Sequence, residues 1–245
     1  MADVLLMCVI LAFAGVLQGV TGFGFGLLSV GLLGLIWPDP KMATVLPVLP
    51  NIAICGYALL RHRDHLPWAR IWPFVAATAA GIPLGVWMLK SIDMLSVQIG
   101  IGSLLVFSAV YGWLPVLGRH RWHRFVAGVP LGVASGFLGG AFNTGGPPAI
   151  AYMSNQQLTR FAVVSGLQAV FLIAGGFRLA CLIGADLLPA RVAGLSGAGV
   201  LTAVLGVVVG TTLLRRLSDR IMGHGIRAAQ LVLGAIYFTQ AASGG

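Results

Sequence analysis

Two glycine-rich stretches carry the residue types best suited to hold a ligand. Gly15-Val16-Leu17-Gln18-Gly19-Val20-Thr21-Gly22-Phe23-Gly24-Phe25-Gly26 recurs loosely as Gly132-Val133-Ala134-Ser135-Gly136-Phe137-Leu138-Gly139-Gly140-Ala141-Phe142-Asn143-Thr144-Gly145-Gly146-Pro147-Pro148. At one constant offset Gly15, Gly19, Gly22 and Phe25 find Gly132, Gly136, Gly139 and Phe142. Each copy interrupts an apolar segment. A helix restarting after such a break aims free N–H groups and the positive end of its dipole at whatever lies there. Glycine lets a ligand come close to the backbone. The chemistry this predicts is anion binding. In a membrane chain, matching interrupted segments in two halves point to a site between repeats, and so to transport.

The first copy contributes Gln18, Thr21, Gly22, Phe23, Gly24 and Phe25 as candidate binding residues, and the second contributes Asn143, Thr144, Gly145 and Gly146. Pro147-Pro148 suit the first turn of a helix, where a missing N–H does no harm. Asn143 and Thr144 are placed to cap that helix or to face a ligand. Asn51 and Gln168 put an amide at equivalent positions of the two halves. Either a shared cavity or an interhelical hydrogen bond accounts for them, and any single glycine equally serves close helix packing. Arg178 lies inside an apolar run but matches the loop residue Arg61 at the same offset, so it is expected to snorkel to the interface.

The residues that are missing narrow the chemistry further. The chain has no Glu, and its six Asp and five His residues fall at predicted segment ends or loops. No buried carboxylate or histidine stands ready as a proton relay or metal ligand. No nucleophile–base pair lies within the spans, so neither an enzyme nor a cofactor is expected. Cys8, Cys55 and Cys181 lie in apolar segments without metal or redox spacing and read as buried hydrophobes.

The elements that hold these residues must be membrane helices. Hydrophobic residues make up 58% of the chain and charged residues 9%, with a mean hydropathy of +0.96, outside the range of soluble domains. The net charge of +9 sits in short loops, which is a topology signal rather than a mark of nucleic-acid binding. A span needs roughly 20 apolar residues. Segments 42–60, 69–89, 96–117, 161–183, 192–214 and 224–241 qualify, while 3–37 and 125–155 are too long for one span and short for two. No basic residue precedes the first apolar run, so it reads as mature structure rather than a signal peptide.

The loop charges suggest how the halves insert. Arg61, Arg63 and Arg70, then Arg119, Arg121 and Arg124, then Arg215, Arg216, Arg220 and Arg227 mark three cytoplasmic loops. Rich loops in one half match sparse loops in the other, which predicts inverted halves. Inversion needs an odd number of crossings per half, so 3–37 and 125–155 should each be a hairpin of two short helices turning at its glycines. Whether they are re-entrant or fully spanning stays open. The expected fold is an all-α polytopic membrane protein of two inverted repeats, each a broken hairpin plus three transmembrane helices. The repeats would be 1–118 and 125–245, joined by a basic cytoplasmic linker at 119–124.

At these residues the chain resembles the TauE/SafE sulfite-exporter family, also called the TSUP family. The resemblance spans nearly the whole chain. It rests on the early Gly19-to-Gly26 stretch, Pro38-Asp39-Pro40-Lys41, Asn51, the Gly81-x-x-x-Gly85 span and the Gly139-to-Pro148 stretch, in that order and spacing. It implies a duplicated transporter of sulfur-containing anions, whereas the residues alone say only "anion". The expectation is a secondary exporter of sulfite or an organosulfonate, working by alternating access in the inner (plasma) membrane. A passive anion channel of the same architecture is the alternative. A homodimer is expected for so compact a membrane fold. Phe23, Phe25 and Phe142 interleave the glycines, so aromatic walls with an amide suit an organic sulfonate better than bare sulfite.

Overall fold

The computed structural model describes residues 2–37, 39–111, 125–213 and 219–243. All regular elements among them are helices: α1 (Ala2–Thr21), α2 (Phe25–Ile36), α3 (Pro40–Val45), α4 (Val48–His62), α5 (Trp68–Ser91), α6 (Met94–Tyr111), α7 (Gly128–Phe142), α8 (Gly146–Ser154), α9 (Arg160–Gly184), α10 (Ala190–Leu213) and α11 (Asp219–Ser243). Pro38, the linker at 119–124, the end of the 96–117 span, Arg215 and Arg216 lie outside the described residues. Five described segments are long and apolar enough to cross a bilayer: Asp3–Thr21, Pro40–His65, Trp68–Ser91, Phe161–Gly184 and Ala190–Thr212. Phe25–Ile36, Met94–Val110 and Gly128–Phe142 are shorter apolar helices. The protein is therefore an all-α polytopic membrane protein.

Both long segments break at their predicted turns. Segment 3–37 divides at Gly22-Phe23-Gly24 and segment 125–155 at Asn143-Thr144-Gly145. The arms differ in length from the expectation of paired short helices. α1 has 20 residues, enough to span, while α8 has 9. The first break falls late in its apolar run, so the arm before it is completed as a whole span.

A third break was not anticipated. The 40–65 span is divided at Leu46-Pro47, because Pro47 has no N–H to continue the ladder. Ser196 on α10 repairs the interruption. Its Oγ donates to Leu46 O at 2.6 Å and accepts from Leu49 N at 3.3 Å. Backbone groups freed at membrane depth are tolerated only when protein re-satisfies them in this way.

The helices pack in matched pairs. The most extensive contacts join α5 to α7 and α1 to α10, followed by α6 with α11 and α4 with α9. Glycines make the first two contacts possible. Gly15 and Gly19 lie on the α10 backbone at Ala203 and Val207, and Gly206 and Gly210 lie on Ala12 and Val16 of α1. Likewise Gly81 and Gly85 lie on Val133 and Phe137 of α7, while Gly136 and Gly140 lie on Thr78 and Ile82 of α5. Lipid gives no hydrophobic drive for helix association, so backbone approach and dispersion must supply it. The matching also corrects the register read from spacing. Gly19 meets Gly210 as Gly140 meets Gly85, which pairs Gly19 with Gly140 rather than Gly136. A glycine every fourth residue looks the same after a slip of one turn.

The buried core concentrates around α2, α3 and α4, with Phe25, Leu33, Leu46 and Ile54 inaccessible. A second cluster fastens α8 to α5, where Tyr152 stacks on Phe74 at 4.8 Å and donates to Arg70 O at 2.7 Å. Gly210→Ala forces a methyl against the Val16 carbonyl and is expected to cost about 1–3 kcal/mol. Gly194→Ala, which meets open space, should leave stability unchanged or slightly raised. Thermal unfolding of the two variants in detergent checks this; equal melting points would refute the packing role of Gly210.

Candidate functional site

The first break is shaped by four residues. Gly22 and Gly24 adopt the left-handed backbone at φ 80° and 98°, where a side chain would be strained. Thr21 Oγ1 donates to Leu17 O at 2.8 Å and also bonds the Phe23 backbone, holding the turn. Gln18, one turn before the break, accepts from Phe25 N at 3.1 Å and so caps α2 from outside its own helix. Phe25 itself is fully buried in the core.

The second break uses different residues for the same purpose. Asn143 takes the left-handed position at φ 57°, the place glycine usually fills at a helix C-terminus. Asn143 N bonds Gly139 O at 3.0 Å and Thr144 N bonds Leu138 O at 3.3 Å, closing the end of α7. Ser135 Oγ donates to Gly145 O at 2.7 Å and ties the restart to α7. Pro147 and Pro148 stand in the first turn of α8, as their fixed φ favours. The two breaks touch: Gly26 of α2 lies directly on the Asn143 carbonyl.

A cavity of about 60 Å³ opens between them. Gln18, Phe23, Gly24, Asn51, Asn143, Thr144, Gly145 and Gly146 line it, bringing together eight of the twelve residues singled out in the sequence. Thr21, Gly22 and Gln168 line a second cavity of about 50 Å³ instead, together with His62 and Phe161. Gln18 lines both. Asn51 and Gln168 therefore do not share one chamber. They belong to a relay of polar groups in which Asn51 Oδ1 bonds Cys55 Sγ at 3.6 Å, Gln18 Nε2 reaches Cys55 Sγ at 3.8 Å and Gln168 Oε1 at 3.2 Å, and Gln168 Nε2 donates to Gly22 O at 2.8 Å.

Arg178 is the largest departure from the sequence reading. Rather than snorkelling, it is 2% exposed and lines the first cavity. The reason is the pair of broken helices beside it. Gly140 O near the C-terminus of α7 and Thr44 O at the end of α3 belong to last turns whose carbonyls lack intrahelical partners. Arg178 donates Nε to Gly140 O at 3.0 Å and Nη1 to Thr44 O at 3.1 Å, a favourable use of a cation at helix C-termini. An Arg inside an apolar run is itself a functional signal; matching it to a loop residue masked that signal. Ser135, Thr78 and Ser108 also line the cavity and gave no sequence signal beyond being small and polar.

Three buried donors on residues that line this cavity have no protein partner among the described residues: Asn143 Nδ2, Thr144 Oγ1 and Arg178 Nη2. Asn143 is 8% and Thr144 5% exposed. Unpartnered buried donors carry a desolvation cost of about 1–3 kcal/mol each, more when charged. Phe23, Ile82 and Phe171 supply the apolar wall. No Asp or Glu contributes to the lining, and among the described residues no cluster of His, Cys, Asp or Glu can hold a metal ion. The arrangement offers one full positive charge, an amide and a hydroxyl to a small oxyanion.

Comparison with known proteins gives a family for the chain. The family model described as sulfite exporter TauE/SafE matches residues 7–238. A protein of Cupriavidus necator described as a probable sulfite/organosulfonate exporter TauE is 30% identical over 176 residues. The match covers 66% of this chain and 64% of that protein, so it spans less than two thirds of the relative's length. No solved structure matches the chain.

The two roles of Asn143 are separable by substitution. Asn143→Gly keeps the left-handed turn and removes the amide, whereas Asn143→Ala also strains the backbone by about 1–2 kcal/mol. In thermal unfolding, Gly is expected to match the parent protein and Ala to fall below it. Equal destabilisation by both would mean the amide, not the backbone, holds the turn.

Proposed function

The chain belongs to the TauE/SafE sulfite-exporter family, and on that premise we propose that it exports a sulfur-containing oxyanion, sulfite or an organosulfonate, across the inner (plasma) membrane. One observation carries the substrate class. Among the described residues Arg178 is a buried guanidinium without a carboxylate partner, its Nη2 is unbonded, and it lines a cavity with Asn143 and Thr144, whose donors are also unpartnered. A buried charge is stable only when paired or richly hydrogen-bonded, and a bound oxyanion completes both requirements.

The carrier mechanism draws its support from the partition at Gln18. Gln18 lines both cavities and donates to Gln168, which lines the second; this pair supplies a candidate partition of the kind alternating access requires. The matched packing of α1 on α10 and α7 on α5 suits two repeats of opposite orientation rocking about the central breaks. By the positive-inside rule, the second cavity, beside Arg61 and His62, faces the cytoplasm and is the side from which an exported anion arrives.

Arg178→Lys keeps the charge, and Arg178→Gln removes it. Binding of sulfite or methanesulfonate, read by thermal stabilisation of the purified protein, is expected to survive in part in the first. In the second it should fall by ~10- to 100-fold, the 1.5–3 kcal/mol of one charge-assisted hydrogen bond. Undiminished binding by Arg178→Gln would remove the site. In proteoliposomes, saturable flux with exchange of internal for external anion is expected of the carrier; non-saturating flux without exchange would establish the channel instead. Gln168→Ala opens the partition and should raise leak relative to exchange.

A further inference from the structure

The cavity carries its positive charge on one group. Among the described residues Arg178 is the only ionisable side chain in the lining. Two of its nitrogens are engaged by Gly140 O and Thr44 O, which leaves Nη2 for a ligand. None of the other ionisable groups on the described elements packed around it lines this cavity, Arg70 and Lys90 of α5 and Tyr152 of α8 included. Lys41 on α3 reaches outward to Lys90 O, and Cys55 on α4 is engaged with Asn51 and Gln18. Tyr57, Arg61 and His62 lie further along α4, beyond the partition, Cys181 lies further along α9, and α7 carries no ionisable residue.

The helix ends add partial charge but few donors. The N–H of Phe25, which opens α2, is taken by Gln18 Oε1. Pro147 and Pro148 remove two N–H groups from the first turn of α8. A singly charged oxyanion therefore forms a neutral complex with Arg178, satisfying Nη2, Asn143 Nδ2 and Thr144 Oγ1. A doubly charged ion of the same size would set its second charge against only the partial charges of the helix ends, in a medium of low dielectric where a charge without a full counter-charge is expensive.

From this geometry we propose that the site selects monoanions over dianions, so that hydrogensulfite rather than sulfite, and monosulfonates rather than sulfonates bearing a second acidic group, are the bound species. The proposal rests on the anion-transport reading and adds to it the charge state of the substrate.

Calorimetric titration of the purified full-length protein, at constant ionic strength, tests this with three probes. Methanesulfonate and sulfate are tetrahedral and close in size but carry one and two charges. Sulfite crosses its second ionisation near neutrality. Methanesulfonate is expected to bind with an affinity that does not change across that pH interval. Sulfate should bind at least about tenfold more weakly. Apparent sulfite affinity should fall about tenfold for each pH unit above its second ionisation, as hydrogensulfite is depleted by mass action.

Sulfate binding as tight as methanesulfonate, or sulfite affinity that stays level or rises with pH, would overturn monoanion selection while leaving the anion site in place. A decline of methanesulfonate affinity parallel to that of sulfite would locate the titrating proton on the protein and overturn it equally. Failure of all three probes to bind would remove the anion site and, with it, the proposal.

Discussion

Backbone groups set free at membrane depth must find partners inside the protein, and most of this molecule can be read as the answer to that demand. Three breaks interrupt its apolar segments, at Gly22-Phe23-Gly24, at Leu46-Pro47 and at Asn143-Thr144-Gly145. Each releases N–H or C=O groups that lipid cannot satisfy. Side chains from other elements reach in to meet them: Gln18 caps Phe25 N, Ser196 bridges Leu46 O and Leu49 N, and Arg178 takes Gly140 O and Thr44 O. The repair of the second and third breaks is what brings a guanidinium to the centre of the protein.

The repair also leaves a surplus, and the surplus is the site. Arg178 has more donors than the two carbonyls can use, and Asn143, holding the left-handed turn with its backbone, has an amide left over. Thr144 adds a hydroxyl. A structure built only for stability would have little reason to bury donors without acceptors. Glycine at Asn143 or a hydrophobic side chain at Thr144 would close the same turn without the cost. The excess is intelligible once a ligand supplies the missing acceptors.

Glycine serves two separate purposes here. Gly15, Gly19, Gly81, Gly85, Gly206 and Gly210 let backbones touch along two helix pairs, which fixes the scaffold. Gly22 and Gly24 permit a turn that other residues resist. Close packing of the first kind frames the hairpins on both flanks, so the tips meet at Gly26 and Asn143 with little freedom to drift. Rigid flanks around irregular tips are what a small cavity with directional donors requires.

Membrane insertion, helical class, two of the three breaks and eight of the residues lining the first cavity were legible in the sequence, because each depends on local composition. Apolar length dictates a span, and paired glycines, prolines and an amide dictate an interruption. The register between copies was misread by one turn, since glycines four residues apart are indistinguishable after such a slip. The Leu46-Pro47 break was hidden in a span whose hydropathy is uninterrupted. Arg178 was assigned to the interface, because its proper partners, two backbone carbonyls at helix ends, have no side-chain signature. Asn51 and Gln168 were expected to share a cavity or a hydrogen bond; the structure places them in separate cavities, linked through Gln18 and Cys55. The sequence by itself determined where two of the three backbone breaks fall; the tertiary structure alone decided which distant side chains meet the freed groups, because those partners converge through helix packing that no local spacing records.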